Sequence, residues 1–290
     1  MAVDNNGWGN KRMQRKKTLH IVGGVLMLAS VTACSRLGNK EPVYDNLPAR
    51  SIFTLAEQKL EEKEPEKAAK IFGEIERLYP YSDLAKRALI MQAFSYHKDK
   101  DYENSRIAAQ RFIDFYPADE DAAYAEYLLA LSYYDQIDEV GRDQGLTFQA
   151  LQGLRTVIER YPDTEYAKSA ILKFDLAFDH LAAKEMEIGR YYLKRDHYTS
   201  AINRFRVVVE DFQTTAHTAE ALYRLIEAYL ALGLADEAQT AGAILGHNFQ
   251  STEWYDDGFR LLTGKGLEPK VRGKNWLSGV YRQMIKGKWL

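Results

Sequence analysis

Few residues in this 290-residue chain have the types and spacing that chemistry demands. A zinc protease needs two histidines one helical turn apart beside a glutamate, a nucleotide site needs a glycine-rich phosphate loop, and an acyl-transfer enzyme needs a serine on a strained elbow. None of these patterns is present. The six histidines are dispersed, and His97, His180, His197, His217 and His247 fall among ordinary polar neighbours, as surface or satisfied core histidines do. Carboxylates between Glu57 and Glu66 alternate with lysines and read as a solvated helix face. No catalytic residue, cofactor or metal site is expected. Covalent chemistry has one candidate, Cys34, the sole cysteine, which excludes an intramolecular disulfide.

The residues ahead of Cys34 read as an export signal. Lys11, Arg12, Arg15, Lys16 and Lys17 precede a mostly apolar stretch from Leu19 to Ala29, and small residues follow. That stretch is shorter than the roughly 20 residues a bilayer core needs, and it contains His20, Gly23 and Gly24. Either Met1 or Met13 precedes a complete signal. Val31-Thr32-Ala33-Cys34 resembles the bacterial lipobox, in which a peptidase cuts beside a cysteine whose sulfur carries diacylglycerol; a free thiol placed there by chance is the other reading. Each buried CH₂ contributes ~0.8 kcal/mol, so several chains on one residue anchor stably where one binds reversibly. Ser35, where enteric-type inner-membrane retention would place Asp, points by the same resemblance to the outer membrane. The expected divisions are a signal at 1–33 and an acylated linker at 34–50. Removing residues 1–33 takes five basic residues and Asp4 from the 39 basic and 41 acidic residues, leaving a net charge of −6. That charge argues against a nucleic-acid partner.

The elements behind Cys34 must be helices. The chain is 12% aromatic, with 19 tyrosines, only seven prolines and no sustained alternation. It also repeats. Tyr79, Tyr116, Tyr161, Phe212 and Phe249 align, at spacings of 37, 45, 51 and 37 residues. A small residue lies 11 positions before each (Ala68, Ser105, Ala150, Ala201 and Ala238), and an apolar residue lies four before (Ile75, Phe112, Val157, Val208 and Leu245). Ser82, Asp119, Thr164, Thr215 and Thr252 follow three later and suit helix N-caps. Such a unit is a helix, an aromatic turn and a second helix, with the small residue allowing close approach. One pair alone cannot bury its apolar face, so the pairs must stack. The expectation is an all-α, right-handed superhelical solenoid of about five tetratricopeptide-like helix pairs over 51–262, with N-terminal repeats at about 51–134 and C-terminal repeats at about 148–262. Two stretches depart from the period. Asp135 to Thr147 reads as a charged loop, beside a groove or merely connecting, and Ala167 to Arg195 as one long helix.

Tyr96, Tyr102, Tyr124, Tyr127, Tyr133 and Tyr134 cluster in the first half. Packing is the usual role of such rings; Tyr96, Tyr102, Tyr127, Tyr133 and Tyr134 are also candidates for a concave groove that binds apolar peptide side chains. Residues 263–290 form a basic tail in which Trp276, Leu277, Val280, Tyr281, Met284 and Ile285 make one helical stripe. It suits a capping helix, a partner-docking helix or an anionic membrane surface.

With the lipobox, Tyr79-Pro80, Tyr161-Pro162 followed by Thr164 and Tyr166, and Tyr191-Tyr192-Leu193-Lys194-Arg195 running on to Ala201-Ile202-Asn203-Arg204, the chain from Cys34 to about Leu262 resembles the BamD family, lipoprotein subunits of the outer-membrane β-barrel assembly machinery. The resemblance implies a non-enzymatic scaffold on the periplasmic face of the outer membrane, held there by lipid on Cys34. Its implied partners are BamA, smaller Bam lipoproteins and unfolded barrel precursors. It places an arginine for the BamA contact at Arg204, within a patch of Asn203, Arg195, Tyr191 and Tyr192. Another lipid-anchored repeat adaptor, such as a pilus pilotin or a cell-division coordinator, would share the other features, and a lipoprotein hydrolase with scattered catalytic residues is a third class.

Overall fold

The computed structural model describes residues 44–285, with side chains as far as Gln283. The signal at 1–33, Cys34 and the last residues of the tail lie outside them. Twelve helices follow in order: α1 (Ala49–Glu61), α2 (Pro65–Leu78), α3 (Asp83–Lys98), α4 (Tyr102–Phe115), α5 (Ala122–Tyr134), α6 (Gly145–Arg160), α7 (Glu165–Leu193), α8 (Tyr198–Asp211), α9 (Thr218–Ala231), α10 (Ala235–Asn248), α11 (Glu253–Thr263) and α12 (Trp276–Ile285). Each helix from α1 to α10 packs on the next, and further contacts join α1 with α3, α3 with α5, α5 with α7, α9 with α11, and α10 with α12. This sequential packing makes an all-helical solenoid of five pairs, α1–α2 to α9–α10, in which odd-numbered helices approach one another along one side.

The aligned residues build the repeat. Tyr79, Tyr116, Tyr161, Phe212 and Phe249 are the C-caps of α2, α4, α6, α8 and α10, and each donates its N–H to the carbonyl of the apolar residue four earlier. Those five apolar residues and the five small ones are all 0% exposed. A methyl or hydroxymethyl at the small position lets the helices close, and each buried Ile, Val, Leu or Phe then contributes ~1.5–3 kcal/mol. Inside four pairs a second turn recurs: Lys63, Lys100, Asp196 and Gly233 are left-handed, and the next N–H reaches back to the carbonyls of Lys59, Tyr96, Tyr192 and Tyr229 at 2.9–3.1 Å. This is the Schellman closure, which satisfies helix-end carbonyls.

Ser82 and Thr164 cap α3 and α7 through their side chains, and Thr252 holds the cap position of α11. Two expected caps are displaced. Asp121 and His217 stand at the starts of α5 and α9, because an extra turn intervenes. Asp119 accepts the Asp121 N–H at 3.0 Å, and Thr215 donates to the Phe212 carbonyl at 2.8 Å. The 45-residue spacing is explained by the irregular stretch after α5, which ends sooner than the sequence suggests: α6 starts at Gly145, and Thr147 is 1% exposed. The 51-residue spacing comes from α7, 29 residues and about 43 Å long. Its first half packs on α6 and its second half carries α8.

The solenoid extends past both expected limits. Before α1, Tyr44 is buried with Phe53 and Phe72, and Leu47 accepts the Tyr79 hydroxyl at 2.6 Å. After α11, residues 267–272 run extended across α10, and Leu277 and Val280 of α12 enter the core shared by α8, α9 and α10.

Candidate partner-binding surfaces

The tyrosines of the first half fall in separate places. On α5, Tyr124, Tyr127 and Tyr134 follow helical spacing on one stripe. Tyr124 and Tyr127 lie 5.2 and 5.7 Å from Tyr166 of α7, and Tyr134 sits under Lys173 at 5.2 Å. Tyr133 is one residue, and so about 100°, away; it stacks under Arg106 of α4 at 4.6 Å. Tyr102 meets His97 edge-on at 5.4 Å, and Tyr96 ends α3 at the position that Tyr192 holds in α7. Burial pushes the hydroxyl of Tyr124 up to about 12 and raises those of Tyr96, Tyr102, Tyr127 and Tyr134, so these rings stay neutral.

The second patch forms where α7 turns into α8. The left-handed Asp196 folds Arg195 back over Tyr191, with the guanidinium 3.8 Å from the ring centre. Tyr191 is 52% exposed, so its ring and this cation present one amphipathic surface. Tyr192 is half-buried in the core beneath, with its ring edge-on to Tyr191 at 5.7 Å. Asn203 is exposed on α8. Arg204 beside it reaches across to α7, where Glu185 receives one guanidinium nitrogen at 3.0 and 3.3 Å. Tyr192 lies seven residues from Glu185 and so on the same face of α7, while Tyr191 is turned away from it. The five residues therefore form two adjacent parts, a stacked pair at the turn and an ion pair further along the helices.

Sequence reasoning missed Glu185, because a glutamate in a charged helix has no distinguishing neighbour until α8 is placed. It missed Gly189, whose lack of a side chain admits the Phe205 ring. It also missed a network on the odd helices: Arg190 pairs with Glu220 at 2.9 Å, Arg224 bridges Glu220 and Glu227, and its guanidinium lies over Tyr223 and Trp254. On α7, Leu172 and Leu176, one turn apart, are 67% and 63% exposed.

No helix among the described residues is long and apolar enough to cross a membrane. A family model described as outer membrane lipoprotein (YfiO) matches residues 45–244, the span of the helix pairs. The chain belongs to the BamD family. The outer membrane protein assembly factor BamD of Caulobacter vibrioides is 44% identical over 251 residues, covering 86% of this chain and 82% of that protein. The BamD of Rickettsia prowazekii is 45% identical over 203 residues, 70% of this chain and 81% of its own length. The BamD of Neisseria meningitidis serogroup A is 26% identical over 244 residues, 81% of this chain and 91% of its own. Family membership makes the chain an outer-membrane-associated assembly factor.

Proposed function

We propose that this BamD-family chain is a non-enzymatic scaffold, held by acyl chains on Cys34 at the periplasmic face of the outer membrane, that joins BamA and unfolded barrel precursors. BamA docks at the α7–α8 patch of Tyr191, Tyr192, Arg195, Asn203 and Arg204. Precursors are received by the N-terminal repeats, where Tyr96, Tyr102, Tyr127, Tyr133 and Tyr134 supply aromatic surface. The observation that carries the docking reading is the Arg195–Tyr191 stack. A turn whose backbone is fixed by three main-chain hydrogen bonds holds a cation on a half-exposed ring, so little side-chain entropy remains to be lost on binding. Aromatic and arginine residues in such settings dominate interface energetics. Acylation is supported by the position of the sole cysteine at the end of the export signal.

The test is affinity purification of the acylated protein from membranes, with BamA and the smaller Bam lipoproteins identified in the eluate. Arg204→Glu should lose BamA, but it also sets two carboxylates together. The double swap Glu185→Arg with Arg204→Glu restores the ion pair and should still fail to capture BamA. Full capture by the swap would remove Arg204 from the interface. Cys34→Ser should leave the fold intact and the protein off the membrane.

A further inference from the structure

The segment linking α11 to α12, together with α12 itself, carries charges that the fold does not use. Lys265, Lys270, Arg272, Lys274 and Arg282 are exposed, and Glu268 is the one acidic residue between positions 265 and 283. Among the described residues none of these five cations meets a carboxylate at ion-pair distance. Elsewhere Arg77, Arg160, Arg190, Arg204 and Arg224 each hold one. The strap is nevertheless ordered, and by its main chain. The Lys270 N–H donates to the Gln239 carbonyl at 3.1 Å, the Gln239 amide donates to the Glu268 carbonyl at 2.8 Å, and the Arg272 N–H donates to the Thr240 hydroxyl oxygen at 3.0 Å. Alternate N–H groups directed at α10 put the Lys270 and Arg272 side chains on one side of an extended chain, about 7 Å apart. Gly273, left-handed at φ 67°, then turns the chain into α12 with Lys274 on the turn.

We propose that this strap is a second docking surface, distinct from the α7–α8 patch, for a protein face rich in aspartate and glutamate. Two observations select a protein over a lipid bilayer. Among the described residues of α12 the apolar side faces the solenoid: Leu277 is 0% and Val280 5% exposed, the Trp276 indole donates to the Tyr229 hydroxyl at 3.1 Å, and Arg206 covers its ring. An interfacial helix needs that side for the membrane. The backbone that carries Lys270 and Arg272 is also fixed by main-chain bonds, so the two side chains start from set positions, which suits a fixed set of carboxylates, whereas fluid headgroups need only charge density.

The test uses the full acylated chain in cells with a photo-crosslinking amino acid in place of Glu268, a residue exposed on the strap. The expected product joins the strap to a protein segment dense in Asp and Glu. Charge reversal by Lys270→Glu, Arg272→Glu and Lys274→Glu should cut its yield roughly tenfold, the scale of close interfacial charge pairs. The Tm should hold, because the strap is fixed through its backbone. Where the reversal lowers the Tm, Lys270→Gln with Arg272→Gln replaces it, and the yield should still fall. An adduct that ignores both variants overturns the proposal. So does the absence of any protein adduct while phosphatidylethanolamine–phosphatidylglycerol vesicles bind the wild type and release the variant. The Arg204 swap should leave this adduct unchanged, so failure of the two surfaces is separable.

Discussion

Phe205 on α8 fills the space that a side chain at Gly189 on α7 would need. A Cβ on Gly189 would overlap the ring, and both residues are buried, Phe205 at 0% exposure. The glycine costs α7 about 1 kcal/mol of helix propensity relative to alanine, yet it sets the α7–α8 spacing across which Arg204 meets Glu185. Gly189→Ala should therefore destabilise the protein by about 1–3 kcal/mol in urea unfolding, despite alanine's better propensity. A second change, Phe205→Leu, should recover part of that loss. A Gly189→Ala protein as stable as the wild type would mean that α8 shifts freely on α7.

Glu185 competes for the guanidinium that a partner would bind. The pair is partly exposed, with 42% of the Arg204 side chain accessible, so it stabilises the fold by about 0.2–1 kcal/mol at most. Glu185→Gln should cost little in Tm and leave Arg204 with its full charge outward. BamA capture should then rise, roughly two- to fivefold, chiefly through faster association that fades with added salt. A fall in capture would instead make Glu185 the residue that orients Arg204 for its partner.

The repeat was legible because packing acts on residue type. Ala68, Ser105, Ala150, Ala201 and Ala238 are small where two backbones close, and Tyr79, Tyr116 and Tyr161 stand where prolines end helices. Asp119 and Thr215 misled because a polar residue after an aromatic turn can tie the turn itself as readily as cap the next helix. Tyr133 and Tyr134 read as one cluster, but neighbours in a helix point about 100° apart, so one stacks on Arg106 and the other under Lys173. The basic charge of the strap was legible but its extended path was not, since that path is held by main-chain atoms whatever its side chains. Glu185 and Gly189 acquire meaning only through α8, which follows in sequence but whose register on α7 no local pattern sets.

His97 makes stability depend on pH. Its ring is sunk at the end of α3 beside Tyr102, and burial lowers its pKa below the ordinary value of 6.5 despite Asp135 at 3.2 Å and a bond to the Leu131 carbonyl; Lys98 acts in the same direction as burial. The folded state thus binds this proton less readily than the unfolded chain does. The associated stability is complete above about pH 6.5 and is lost as pH falls through the depressed folded value. His97→Gln should lower the Tm at pH 7.5 by removing the packed ring. Its deficit against the wild type should shrink between pH 7 and pH 5, as the wild type begins to pay for protonation. A deficit constant across that range would show that His97 titrates alike in both states.

The tail's place in the fold can be tested at Trp276. Its indole N–H donates to the hydroxyl of Tyr229, itself only 4% exposed, and its ring lies 4.9 Å from the Arg206 guanidinium. Trp276→Phe keeps an aromatic face but leaves the Tyr229 hydroxyl without this donor, which should cost about 1 kcal/mol. Trp276→Ala also removes apolar contact with the core of α8, α9 and α10 and should cost about 2–3 kcal/mol, less than a fully buried tryptophan because the ring is half-buried. Urea unfolding followed by far-ultraviolet circular dichroism measures both. A single transition shifted for the whole protein is expected, since Leu277 and Val280 share that core with Leu222, Leu225 and Ile244. An early, separate transition in Trp276→Ala, with the main one unmoved, would mean that α12 is carried by the solenoid without stabilising it. The strap would keep its order even then, because Lys270 and Arg272 are tied to Gln239 and Thr240 of α10 and not to α12.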